Sequence, residues 1–136
     1  MKDLIDLIGR ICLVSVFIFE AVDTSIYTTL TKKIMEDYGF TWQMNFLYWA
    51  AILALTIGSI LIAIGYRVGL GVFLILLYWL PYTFTVYSFW MADAAHQHYE
   101  AAMFTRNLAV AGGLLLLFVN GAGKYSIKRF LATTRV

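Results

Sequence analysis

Glu20 and Asp23 stand three residues apart near the end of an apolar run, a spacing that puts both carboxylates on neighbouring parts of one helix face. Arg106 and Asn107 open a later apolar run, and Tyr82, Thr83, Thr85, Tyr87 and Ser88 bring hydroxyls to the end of another. Carboxylates and a guanidinium in an apolar surround have two uses. They lock two helices together as an ion pair, because charge inside a bilayer is expensive unless paired or hydrated, or they bind a ligand or relay a proton. Glu20, Asp23, Tyr87, Arg106 and Asn107 are therefore the candidate intramembrane polar cluster, with Arg106 the natural partner of Glu20. Spacing alone does not choose between the two uses.

His96-Gln97-His98, beside Asp93 and Glu100, has the composition of a metal site. Two histidines two positions apart diverge on a helix, and nothing else in the chain supplies a third nitrogen ligand. The pair reads as a solvated loop, with no metal assigned and His96 and His98 only weak candidates. Both lie in one loop, so they cannot ligate a haem from opposing helices. The single cysteine, Cys12, can make neither an intramolecular disulfide nor a paired-cysteine metal site. With no nucleotide loop and no haem or iron–sulfur ligand set, the chain offers no catalytic residues and no cofactor with recognisable ligands. Tyr38, Phe40, Trp42, Phe46, Tyr48 and Trp49, and then Tyr87, Phe89, Trp90 and Tyr99, form interfacial belts where a quinone or a lipid could lie.

The elements that carry these residues are set by hydrophobicity. The run Trp42 to Ile64 has no charged residue and, at about 1.5 Å per residue, spans roughly 34 Å, enough for a hydrocarbon core of about 30 Å. Weaker runs cover about 4–22, 68–90 and 103–119. The expected fold is an all-α membrane protein, a single four-transmembrane-helix bundle over residues 1–136. A hydrophobic fraction of 62% against a charged fraction of 13% suits such a protein and not a soluble globule. The net charge of +2, without a basic patch, gives nucleic acid nothing to bind. Membrane lipid and other membrane subunits are the expected partners. Phe19 to Asp23 make a poor cleavage site, so the first run reads as a retained helix.

If the four runs alternate in direction, Lys2, Arg10, Arg67, Lys124, Lys128, Arg129 and Arg135 share one side, and only Lys32, Lys33 and Arg106 the other. Seven of the ten basic residues then lie with the termini, which the positive-inside rule places in the cytoplasm. Pro81, the only proline, removes a backbone hydrogen bond near Leu77 and predicts a kink. Gly69-x-Gly71 and Gly112-Gly113 predict close helix approach.

Several ordered motifs resemble the DoxX-like family of small four-helix bacterial membrane proteins. They are Gly9-Arg10 with Val16 to Phe19, Ile64-Gly65-Tyr66-Arg67, Ser88-Phe89-Trp90, Phe104 to Leu115 and Gly121 to Ser126. The resemblance implies a bacterial inner-membrane protein with a loose association with redox. It suggests an accessory subunit packed against a larger respiratory or redox complex, or alternatively a quinone-binding subunit like those of thiosulfate:quinone oxidoreductase.

Overall fold

Every regular element among the described residues is helical. The structure is a computed structural model that describes residues 2–39, 41–123 and 125–126. Five helices follow in order: α1 (Lys2–Ile26), α2 (Thr28–Asp37), α3 (Met44–Ala63), α4 (Val68–Val86) and α5 (Gln97–Asn120). Three of them, α3, α4 and α5, are long and apolar enough to cross a membrane. α1 matches them in length, but Asp3, Asp6, Arg10, Glu20 and Asp23 interrupt its apolar sequence.

α3 packs on both α1 and α4, α4 also packs on α5, and α1 touches α5 only lightly. Trp79 of α4 is the hub. Its ring meets Phe17 of α1 edge-on at 5.0 Å, and its indole Nε1 donates to the Asn107 carbonyl of α5 at 3.1 Å. Around this pair Leu55, Ile62, Val72, Ile75 and Leu114 are wholly buried. Leu53, Ile57 and Ile60 on α3, and Leu108, Leu115 and Phe118 on α5, are exposed. Apolar residues line the inside and the outside alike, as helices in lipid require.

Glycine sets the α3–α4 distance. A Cβ on Gly58 would sit 2.9 Å from the Gly71 carbonyl oxygen, and one on Gly71 would sit 2.8 Å from the Gly58 oxygen, so the two backbones meet where neither carries a side chain. The expected Gly69-x-Gly71 contact is thus made by Gly71, whereas Gly112 has nothing within 4 Å of its Cβ position and Gly113 faces Leu13.

Three expected boundaries move. The third run ends at Val86 and not at residue 90, because Tyr87 leaves helical geometry (φ −105°, ψ 46°) and residues 88–91 form a turn closed by Met91 N–H to the Ser88 carbonyl at 2.8 Å. The fourth helix starts at Gln97, before the apolar run that begins near 103, so His98 is helical and only His96 lies outside, as the N-cap. Lastly, the polar stretch between the first two runs contains α2, which no hydrophobic run announced. α4 continues through Pro81. Lys124, Lys128, Arg129 and Arg135, which weigh in the charge count, and Phe40 of the aromatic belt lie outside the described residues.

Candidate functional site

α1 and α2 meet at Tyr27, whose backbone (φ −95°, ψ 43°) leaves the helix while its N–H still donates to the Asp23 carbonyl at 2.9 Å. Thr28 Oγ1 donates to the Ser25 carbonyl at 2.8 Å, a local bond that competes with helix continuation. The break lets α2 turn against α1 and α3. None of its residues is buried. It is strapped down by side chains: Lys32 Nζ donates to Asn45 Oδ1 at 2.8 Å, and Tyr38 Oη donates to the Val86 carbonyl at 3.2 Å.

Under α2 is a cavity of about 350 Å³. Glu20, Asp23 and Thr24 come to it from α1, Leu30, Thr31, Ile34 and Met35 from α2, and Leu47, Tyr48 and Ala51 from α3. α4 contributes Leu77, Tyr78, Pro81, Tyr82, Thr85 and Val86. Leu77 is the residue whose carbonyl Pro81 leaves without its usual helical donor. Tyr48 fixes the corner between α1 and α3: its buried hydroxyl donates to the Thr24 carbonyl at 2.9 Å and lies 2.8 Å from Thr28 Oγ1. Tyr78 and Tyr82 stack at 5.5 Å with 17° between their planes, forming one aromatic wall. The cavity is thus apolar over most of its lining, with two carboxylates on α1 and hydroxyls contributed from every side.

The expected cluster is divided. Glu20 and Asp23 line the cavity, and Tyr87 stands behind its wall, edge-on to Tyr82 at 5.8 Å. Asn107 is on the far side of α4, where its Nδ2 donates to the buried Thr83 Oγ1 at 3.2 Å. Arg106 is exposed, its Nη1 3.9 Å from Met103 Sδ, and pairs with neither Glu20 nor Asp23. The expected Glu20–Arg106 pair fails because successive helical residues point about 100° apart, so turning Asn107 toward α4 turns Arg106 away. Among the described residues no group of three or more His, Cys, Asp or Glu side chains comes together, and His96 and His98 remain apart from the cavity lining.

One polar centre was not foreseen as such. Arg10 is 1% exposed, and its Nη1 donates to the Ile62 carbonyl at 3.5 Å and its Nη2 to the Tyr125 carbonyl. Gly65 and Gly123 leave room for it and for Asp6. It lies at the opposite end of α1 from the cavity and ties the last turn of α3 to the segment after α5. The signal was present: Arg10, Val14, Phe17, Ala21 and Thr24, all buried, recur every three to four residues along a single stripe.

Helices throughout the described residues, three of them of membrane length, define an integral membrane protein. The chain belongs to the SURF4 family, which matches residues 27–130. It is also similar to the ER-derived vesicles protein ERV29 of Saccharomyces cerevisiae, with 30% identity over 79 residues. That alignment covers 58% of this chain and 26% of the yeast protein, so the chain spans about a quarter of the relative's length. No solved structure matches.

These findings replace the DoxX-like resemblance. With it fall the accessory role in a redox or respiratory complex, the quinone-binding alternative of the thiosulfate:quinone oxidoreductase type, and the bacterial inner membrane as location. The motifs misled because packing demands them. Gly65 has φ +68° and faces the Arg10 guanidinium, Gly123 has φ +61° and faces Asp6, and Phe104 packs edge-on against Phe84 and Phe89. Such residues report how helix ends are closed, and small helical membrane proteins of different families share that requirement.

Proposed function

We propose that this chain is a membrane-embedded binding protein of vesicle membranes in the secretory pathway, holding its ligand in the cavity beneath α2. The observation that carries this reading is the cavity itself, a chamber of about 350 Å³ with a mostly apolar lining and two carboxylates on its α1 side, at the low end of the size range of small-molecule pockets. Membership of the SURF4 family and similarity to a protein of ER-derived vesicles support the location. α1, α3, α4 and α5 cross the bilayer, with the termini and the Tyr66-Arg67 turn in the cytoplasm, and the cavity opens toward the lumen. The seven-to-three division of Lys and Arg supports that orientation.

A photoreactive residue placed at Leu77, which lines the cavity, is compared in native membranes with one at Leu115, exposed on α5. Leu77 should yield an adduct that Leu115 does not, and Ala51→Trp, which fills the cavity, should abolish it. Identical lipid adducts at both positions would overturn the reading. Orientation is tested by single cysteines at Lys33 and Arg67 in a Cys12→Ser background. In sealed vesicles with the cytoplasmic face outward, only the Arg67 position should react with an impermeant reagent.

A further inference from the structure

We infer that the cavity takes a hydrophobic organic cation, an ammonium group carried on an alkyl or aromatic body, with Glu20 and Asp23 receiving the charge. The inference rests on the reading of the cavity as a binding site and adds the charge of its ligand.

Two independent features meet there. The first is uncompensated negative charge. Glu20, half-buried, and Asp23, exposed at the rim, both line the cavity, and neither accepts a hydrogen bond or an ion pair from any described residue. Among the described residues no Lys or Arg lines it. The nearest basic residue on α2, Lys32, is held outside by Asn45 and lies over the Tyr48 ring, 5.2 Å from its centre. Arg10 is engaged with Asp6 and two carbonyls at the other end of α1, and Arg106 is exposed on α5. Carboxylates at the margin of an apolar chamber favour a ligand that brings the missing positive charge.

The second feature is aromatic surface. Tyr78 and Tyr82, stacked on each other, both line the chamber, and a cation that reaches a ring face is attracted through the ring quadrupole. The Lys32 ammonium over Tyr48 shows the same attraction at the chamber's edge. An inorganic cation is a poorer fit, because it must exchange its water shell for several oxygen ligands. An ammonium clothed in carbon needs only opposite charge, ring faces and apolar walls, which is what these residues supply. The same group could arrive on a lipid headgroup or on a free amine.

The test uses two probes of one shape, benzyltrimethylammonium and its uncharged carbon isostere neopentylbenzene, with the full chain in maltoside detergent. The cation should bind at least about tenfold more tightly than the isostere, the scale of one cation–π contact together with a charge pair. In Glu20→Gln/Asp23→Asn that preference should vanish while the isostere binds as before, which also shows that the variant is folded. Tyr78→Leu/Tyr82→Leu should weaken the cation more than the isostere. Equal binding of the two probes, or an undiminished preference in the carboxylate variant, overturns the cationic assignment and leaves the cavity reading standing. If neither probe binds, both readings fail. Native lipid with a quaternary ammonium headgroup that co-purifies and is displaced by the probe places the cation on a lipid; probe binding without such lipid places it on a free amine.

Discussion

Arg10 Nε lies 3.5 Å from Asp6 Oδ2, one turn earlier on α1, and its other guanidinium nitrogens reach the carbonyls of Ile62 and Tyr125. A cation this deeply buried is stable only with such partners, and it joins three segments far apart in sequence. Arg10→Ala removes the charge and leaves the Asp6 carboxylate and the Tyr125 carbonyl without the guanidinium, while the Ile62 carbonyl keeps only the Gly65 N–H. Breaking a buried pair from one side costs about 3–5 kcal/mol, so Tm in detergent should fall by about 10 °C or more. Asp6→Asn keeps the shape at a position that is partly exposed and should cost less. A Tm unchanged in Arg10→Ala would mean that the guanidinium holds nothing together.

The glycines around that centre give a graded series. At Gly65 a methyl group would meet Ser126 Cβ at 2.6 Å and Arg10 Nη1 at 2.8 Å, on a backbone with φ +68° that L-residues rarely adopt. Gly65→Ala should destabilise by about 1–3 kcal/mol. Gly112, by contrast, is a helical residue facing open space, and Gly112→Ala should be neutral or stabilise by up to about 1 kcal/mol. Thermal unfolding of the two variants side by side checks the pair; equal losses would refute the packing assigned to Gly65.

The helices were legible in the sequence where hydrophobicity alone decides them, from Trp42 to Ile64 and through Val68. The cavity was not. Its roof, α2, is polar enough to read as loop, and it is held over the bundle by Lys32–Asn45 and Tyr38–Val86, contacts whose partners only the folded chain brings together. Glu20 and Asp23 were found because a three-residue spacing is local. Their supposed partner Arg106 was misassigned because its helix face depends on how α5 is rotated against α4. Arg10 shows the opposite failure, in which a residue on a legible buried stripe is read as a topology charge and a motif residue and not as a buried centre.

That rotation of α5 separates two adjacent residues by consequence. Asn107 Nδ2 bonds Thr83 Oγ1 inside the bundle, whereas the Arg106 side chain is exposed. Asn107→Ala should cost about 1 kcal/mol, the net worth of one internal hydrogen bond, and Arg106→Ala should stay within about 0.5 kcal/mol of the parent. Thr83→Val combined with Asn107→Ala should cost less than the two changes separately, because they remove the same bond. Greater damage from Arg106→Ala than from Asn107→Ala in denaturation assays would reverse the assignment of faces.

Access to the cavity should be governed by the straps on α2, which buries no residue of its own and so has little apolar packing to hold it. Tyr38→Phe removes the bond to the Val86 carbonyl and Lys32→Ala the bond to Asn45, each worth about 1 kcal/mol or less at these exposed positions. A cysteine at Ile34, on the cavity side of α2, reports opening through its alkylation rate in a Cys12→Ser background. Removing both straps should raise that rate about fivefold or more if opening limits the reaction. Amide exchange in α3 and α4 near Leu55 and Val72 should be unaltered, since those residues pack in the core beneath. An unchanged alkylation rate would show that α2 is held by its backbone connection to α1 at Tyr27 and not by the side-chain straps.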